Sequence, residues 1–161
     1  MASLESTTWV GDWAWGIPLI LANLLIHVIG LNLIGAFVLR DYTGNVRKRV
    51  ASIDFIVVVG VTSVLTISLH GLESAIWGVA YLLLGALGNY KAAMLYSLGA
   101  ITTYGHTNIH LNSGWELLGA MEALQGMLLF GLTTAFLFSI FTAVSPLRNH
   151  QIGTWTLQKA K

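Results

Sequence analysis

The sequence predicts an all-α membrane protein with three transmembrane helices and a short re-entrant helix and loop before the last of them. Three observations carry this. Apolar residues make up 55% of the 161 positions, charged residues only 9%, and the mean hydropathy is +0.72. A soluble domain carries roughly 25% charged residues, so this chain cannot coat a water-facing surface. The apolar residues fall in runs that reach or exceed the ~20 needed to cross a bilayer. One shorter apolar stretch, Tyr90 to Ile101, reads as helix but is too short to span. An ordinary cytosolic enzyme and a disordered tail are excluded, and a net charge of +1 gives no basic footprint for nucleic acid. The absence of cysteine excludes disulfides and thiol chemistry.

The first span runs from Ile17 to Leu39, without a formal charge, and ends at Arg40-Asp41. Trp9, Trp13 and Trp15 precede it as an aromatic belt at headgroup level. Pro18 is expected in its first turn, where a missing N–H costs little. Asn23, His27 and Asn32 lie inside the span and are expected to face protein, because a polar side chain facing lipid is costly. The N-terminus has Glu5 and Asp12 and no basic residue before Arg40, so a cleaved signal peptide is not expected.

The second apolar run extends from Ala51 to about Leu87, interrupted by Asp54, His70-Gly71 and Glu73. One helix over residues 51–87 would measure roughly 55 Å, well beyond a ~30 Å hydrocarbon core. It reads either as one long tilted helix or as two helices broken at His70-Gly71. Charge favours the first. Arg40, Arg47, Lys48 and Arg49 flank or fill the 40–50 connection, and Arg148, Lys159 and Lys161 follow the last span. Basic residues favour the cytoplasmic side, and only three crossings put both clusters there, leaving Lys91 outside. The N-terminus is then outside and the C-terminus cytoplasmic. The predicted location is the cell membrane, the inner membrane for a bacterial chain, as a multi-pass protein. The third span runs from Trp115 to about Val144 and stops at Ser145-Pro146.

Residues 88–114 then lie on the outer side. The Tyr90–Ile101 helix is followed by Thr102, Thr103, Tyr104, Gly105, His106, Thr107 and Asn108, and Asn112-Ser113-Gly114 leads into Trp115. Non-helical backbone at membrane depth is tolerated only when buried in protein or lining a water-filled cavity, so this segment suggests a pore.

"YSLGAITTYG" followed by a long Gly-interrupted apolar helix resembles the pore module of the potassium-channel superfamily, most of all its small bacterial members with an extra N-terminal helix. The resemblance covers about Leu69 to Val144. "HGLESAIWGVAYLLLGAL" resembles the outer helix and "GWELLGAMEALQGMLLFGLTTAFLF" the inner one. It implies a re-entrant pore helix and filter loop within three transmembrane helices. It divides the chain into an N-terminal helix with a cytoplasmic basic loop (1–50), a pore module (51–145) and a short cytoplasmic tail (146–161). Against the family's T-T-x-G-Y-G-D filter, Thr102 and Thr103 fall on the threonines, Tyr104 on x and Gly105 on the first glycine. His106 falls on the tyrosine, Thr107 on the second glycine and Asn108 on the aspartate.

Such a filter stacks rings of backbone carbonyls that replace an ion's hydration shell. Its inward carbonyls need positive φ, which glycine adopts at little cost and an L-residue at roughly 1–2 kcal/mol. Gly105 serves that need; Thr107 is a poor substitute. The expected function is therefore a tetrameric cation channel with a non-standard, weakly selective filter. The alternative is a non-conducting accessory or assembly protein that keeps the scaffold. One pore loop per chain implies a homotetramer in the lipid bilayer, with no nucleic-acid partner. No cofactor is expected beyond permeant monovalent cations such as potassium, and no enzyme activity or metal ligand set. The first helix has no arginine ladder, so steep voltage gating is not expected. No nucleotide-binding or voltage-sensing domain is expected in the short tail from Ser145 to Lys161.

Further candidates lie in the spans. Gly119, Glu122, Gly126, Leu129, Thr133, Phe136 and Ile140 recur on one face of the last helix. Lining the pore, Glu122 would draw in cations and Phe136 or Ile140 would gate by dewetting. Packed on the short helix, Glu122 would only bond a filter backbone; both readings stand at this point. Gly126 and Gly131 are either hinge or packing glycines. His70 and Glu73 share a face at i, i+3 and brace the module or respond to pH. His106 brings an imidazole that titrates near neutral pH. Its i, i+4 spacing to His110 would suit a metal on a helix, which the strand-like context argues against. Trp77, Trp115, Tyr81 and Tyr96 are interface anchors or aromatic packing.

Overall fold

The computed structural model describes residues 2–45, 51–105 and 108–145. Four helices follow in order: α1 (Ala2–Asn45), α2 (Ala51–Leu83), α3 (Tyr90–Ile101) and α4 (Glu116–Val144). Among the described residues there is no strand. Three helices are long and apolar enough to cross a membrane, over Trp9–Arg40, Phe55–Leu83 and Glu116–Val144. The basic residues 47–49, His106, Thr107 and the tail from 146 onward lie outside the described residues.

α1 is longer than the predicted span and Pro18 sits in its interior, not in its first turn. The ring removes one i→i−4 hydrogen bond there, a loss that transmembrane helices tolerate because neighbours re-satisfy the freed carbonyl. α2 runs unbroken through His70-Gly71 and settles the open alternative for residues 51–87 in favour of one helix, ending at Leu83. It contains no proline, and its hydroxyls bond their own helix: Thr62 Oγ1 donates to Val58 O (2.7 Å), Ser63 Oγ to Val59 O (2.9 Å) and Thr66 Oγ1 to Ser63 O (2.9 Å). Its end is a Schellman turn. Gly85, at φ 67°, donates to Leu82 O and Ala86 N to Tyr81 O, at 3.0 and 2.8 Å.

α3 has the predicted bounds. Asn89 caps its start, Oδ1 accepting from Ala92 N at 2.9 Å. Ala93, Ser97 and Ile101, one helical turn apart, form its buried edge. The irregular return to α4 is tied to the α2–α3 turn: Asn112 N donates to Ala86 O (2.9 Å) and its Nδ2 to Gly85 O (2.7 Å).

Two compact units form, each assembled from stretches distant in sequence. The first joins Met1–Gly30 to Ser68–Leu132. Its core is Trp77, Tyr81, Ala86, Leu87, Ala93, Leu111 and Leu118, with Trp115 and Tyr96 packed against it. The second joins Leu31–Ile67 to Thr133–Lys161. There the Phe55 and Phe141 rings meet edge to face at 5.1 Å, and Gly35 lies against Phe136.

Candidate functional site

The first unit holds α3 between α2 and α4, and two glycines of α4 allow the approach. A Cβ on Gly126 would stand 2.1 Å from the carbonyl oxygen of Ile101, the last residue of α3. A Cβ on Gly119 would stand equally close to the Tyr96 hydroxyl. Gly131 has nothing within 4 Å. Gly126 is thus a packing glycine.

Glu122 is fully buried. It accepts from the Tyr81 hydroxyl of α2 at 2.5 Å and from the Ser97 hydroxyl of α3. The same Ser97 Oγ lies 2.8 Å from Ser74 O. One turn on, Gln125 Oε1 accepts from Trp77 Nε1 (2.9 Å) and Gln125 Nε2 donates to Ile20 O (3.1 Å). This polar belt joins all four helices. The α4 face proposed from sequence as pore-lining is turned inward: Gly119, Glu122, Gly126, Leu129, Thr133 and Ile140 are buried and Phe136 is half-buried. Within the chain the Glu122 carboxylate is bonded to two hydroxyls and packed against α3. Its partners are side chains rather than the loop backbone. The role of Gln125 was not anticipated; its position, i+3 from Glu122, is the signal that would have found it.

At the far end of α3 the chain turns through Thr102, Thr103, Tyr104 and Gly105, all exposed. Thr102 Oγ1 bonds Leu98 O at 2.5 Å. Thr103 N donates to Ala100 O (2.9 Å) and Gly105 N to Gly99 O (3.0 Å). Thr103 and Gly105 both hold positive φ, 57° and 71°. For Gly105 this costs little; for a β-branched threonine it is a true outlier, of the kind that clusters at functional sites. Beside this turn lies a cleft of about 480 Å³, lined by Tyr96, Thr103, Gly105, His110, Glu116 and Gly119 among others. Burial, then the Glu122 and Glu116 carboxylates, hold the Tyr96 phenol above its ordinary range, so it stays a hydroxyl at neutral pH. Asn108 and His110 are exposed on the return segment, which is irregular rather than helical.

A third polar group was only partly foreseen. His70 and Glu73 share a face of α2 as expected, and α1 adds His27. Its Nδ1 lies 2.8 Å from Glu73 Oε1, while His70 Nδ1 lies 3.1 Å from Glu73 Oε2. The two imidazoles are 5.2 Å apart, and Phe130 stacks on His70 at 4.4 Å. Of the three polar residues of the first span expected to face protein, Asn23 and His27 are fully buried, whereas Asn32 is exposed on the surface of the chain.

The chain matches no family model, no curated protein and no solved structure.

Proposed function

We propose that the chain is the subunit of a tetrameric cation channel of the potassium-channel superfamily, with α3 as the re-entrant pore helix and residues 102–108 as a weakly selective filter. The observation that carries this reading is the end of α3. A helix too short to span, wedged between two that are long enough, delivers an exposed T-T-Y-G turn in which two residues hold positive φ. That conformation turns backbone carbonyls away from the regular ladder and offers them to an ion, the requirement of a carbonyl filter. Four chains around an axis would surround the turn with protein and water, which satisfies the rule against lipid-facing irregular backbone. In this arrangement Glu122 fixes α3 from behind, and the exposed side of α4, with Leu124, Met127 and Leu128, is left for the axis, sister subunits and lipid.

Weak selectivity follows from Thr107 and Asn108, which stand where the family has its second glycine and its aspartate. The test is ion flux into liposomes holding the purified protein, with potassium and sodium in parallel and the oligomer measured in the same preparation. Flux of both ions by a tetramer is expected. Strong preference for potassium overturns the weak filter. A tetramer that carries neither ion overturns conduction and leaves the non-conducting scaffold; an assembly of another order overturns the channel architecture.

A further inference from the structure

We infer that His27, His70 and Glu73 form an intramembrane binding site for a transition-metal dication of the zinc class. The three residues come from the interiors of two membrane-length helices, His27 within Trp9–Arg40 and His70 with Glu73 within Phe55–Leu83. All three are buried, and one donor atom from each lies within 4.8 Å of the other two. Around a tetrahedral ion with bonds of ~2.0–2.1 Å, donor atoms stand about 3.4 Å apart, so the cluster fits one ion after a small outward movement of the His27–Glu73 and His70–Glu73 pairs. Two imidazoles and a carboxylate suit a borderline dication; hard cations such as magnesium prefer oxygen alone.

A second observation points to a ligand. Asn23, one turn before His27 on α1, is fully buried, and neither its Oδ1 nor its Nδ2 has a hydrogen-bond partner. Ser74 Oγ and Glu73 Oε2 also lack one; the 3.1 Å approach of Glu73 Oε2 to His70 is an ion-pair contact without hydrogen-bond alignment. Buried polar atoms are nearly always bonded, and orphans on Glu73 itself, on its chain neighbour Ser74 and on Asn23 one turn before His27 indicate a missing partner. A dication there would accept a nitrogen lone pair from each imidazole and an oxygen of Glu73. It would displace the proton shared between His27 and Glu73 into solvent, and would leave a fourth position for Asn23 Oδ1 or water. The stacked Phe130 ring covers the His70 side with an apolar wall.

The competing occupant is a proton alone, shared between His27 and Glu73 as a plain brace. The experiment uses the full chain in detergent with the other three histidines removed (His106→Ala, His110→Ala, His150→Ala). The protein is stripped with chelator, loaded with Zn²⁺ at ~pH 7, where imidazole is mostly unprotonated, then freed of excess metal. One zinc per chain is expected. Glu73→Gln and His27→Gln in the same background should weaken retention by about tenfold or more. Zinc retention below half an equivalent overturns the site, as does retention unchanged by both substitutions. Should those variants fail to fold, Co²⁺ in the parent decides: a tetrahedral nitrogen-ligated absorption spectrum supports the site, and a spectrum of hydrated Co²⁺ overturns it. Neither readout depends on conduction.

Discussion

Gly126 and Thr103 bracket the end of α3 and are constrained in opposite ways. Gly126 is where α4 touches backbone, so a methyl group has nowhere to go: its nearest neighbour would be the Ile101 carbonyl, which cannot rotate away as a side chain could. Gly126→Ala should cost about 1–3 kcal/mol, the range for overpacking. Gly131→Ala, with open space around it, should cost nothing and gain some helix propensity. Unfolding of the two variants in detergent, followed by tryptophan fluorescence, separates them; equal stability would contradict the close approach. At Thr103 the strain is already present. A β-branched residue at φ 57° stands where helices favour glycine. Thr103→Gly should therefore stabilise the chain by roughly 1 kcal/mol, by relieving the left-handed penalty. Under the filter reading it should at the same time reduce cation flux, because the threonine hydroxyl is lost from the turn. Stabilisation is read in the same unfolding assay, and a destabilised Thr103→Gly would show that no strain is stored there.

At the scale of elements, α3 is held by groups that reach it from both long neighbours. Glu122 is the centre of that hold, accepting from Tyr81 on α2 and Ser97 on α3. Glu122→Gln keeps an oxygen for the tyrosine and presents an amide to the serine, so it should retain the fold and the oligomer. Glu122→Ala leaves the buried Tyr81 hydroxyl without its acceptor, at about 1–3 kcal/mol, while Ser97 keeps only Ser74 O. Size-exclusion profiles and unfolding midpoints of the two variants check this. A Gln variant that falls apart as the Ala variant does would mean the negative charge itself is required. The bounds of α3 were legible in the sequence because its signals are local: Asn89 as a cap, an apolar run of three turns, and hydroxyls after Ile101. The third span was legible for the same reason, starting at the Gly114–Trp115 junction and stopping before Pro146. The His27–His70–Glu73 cluster was only half legible. Its i, i+3 pair is a property of one helix, but His27 joins through the register of α1 against α2, which no local pattern encodes. The inward turn of Glu122 escaped for a related reason. A single apolar helix has no polar face to mark which side meets the chain, so periodicity identified the stripe without saying what it faces.

For the whole molecule, the decisive quantity is how little of each long helix the chain covers itself. Only 17%, 17% and 22% of the most apolar windows of α1, α2 and α4 are buried within it. Apolar surface of this extent calls for a bilayer to cover it, so orientation in the bilayer is part of the fold. In the topology we propose, each of the three membrane-length helices crosses once, so that the connection near Asn45 and the end of α4 share one side and Lys91 lies on the other. Seven of the eight basic residues then share that first side, which should be cytoplasmic. The chain has no cysteine, so single introduced thiols report their side without background. Lys91→Cys should react in intact cells with a membrane-impermeant maleimide, while Asn45→Cys should react only after permeabilisation. Both positions lie at helix ends, and Lys91 is exposed, so the fold should tolerate the substitutions. Reaction of both from the same side would mean that α2, the one helix between them, does not cross the bilayer once, and would overturn the three-crossing topology. Labelling of Asn45→Cys alone in intact cells would invert the topology and place the T-T-Y-G turn at the cytoplasmic mouth of the proposed pore.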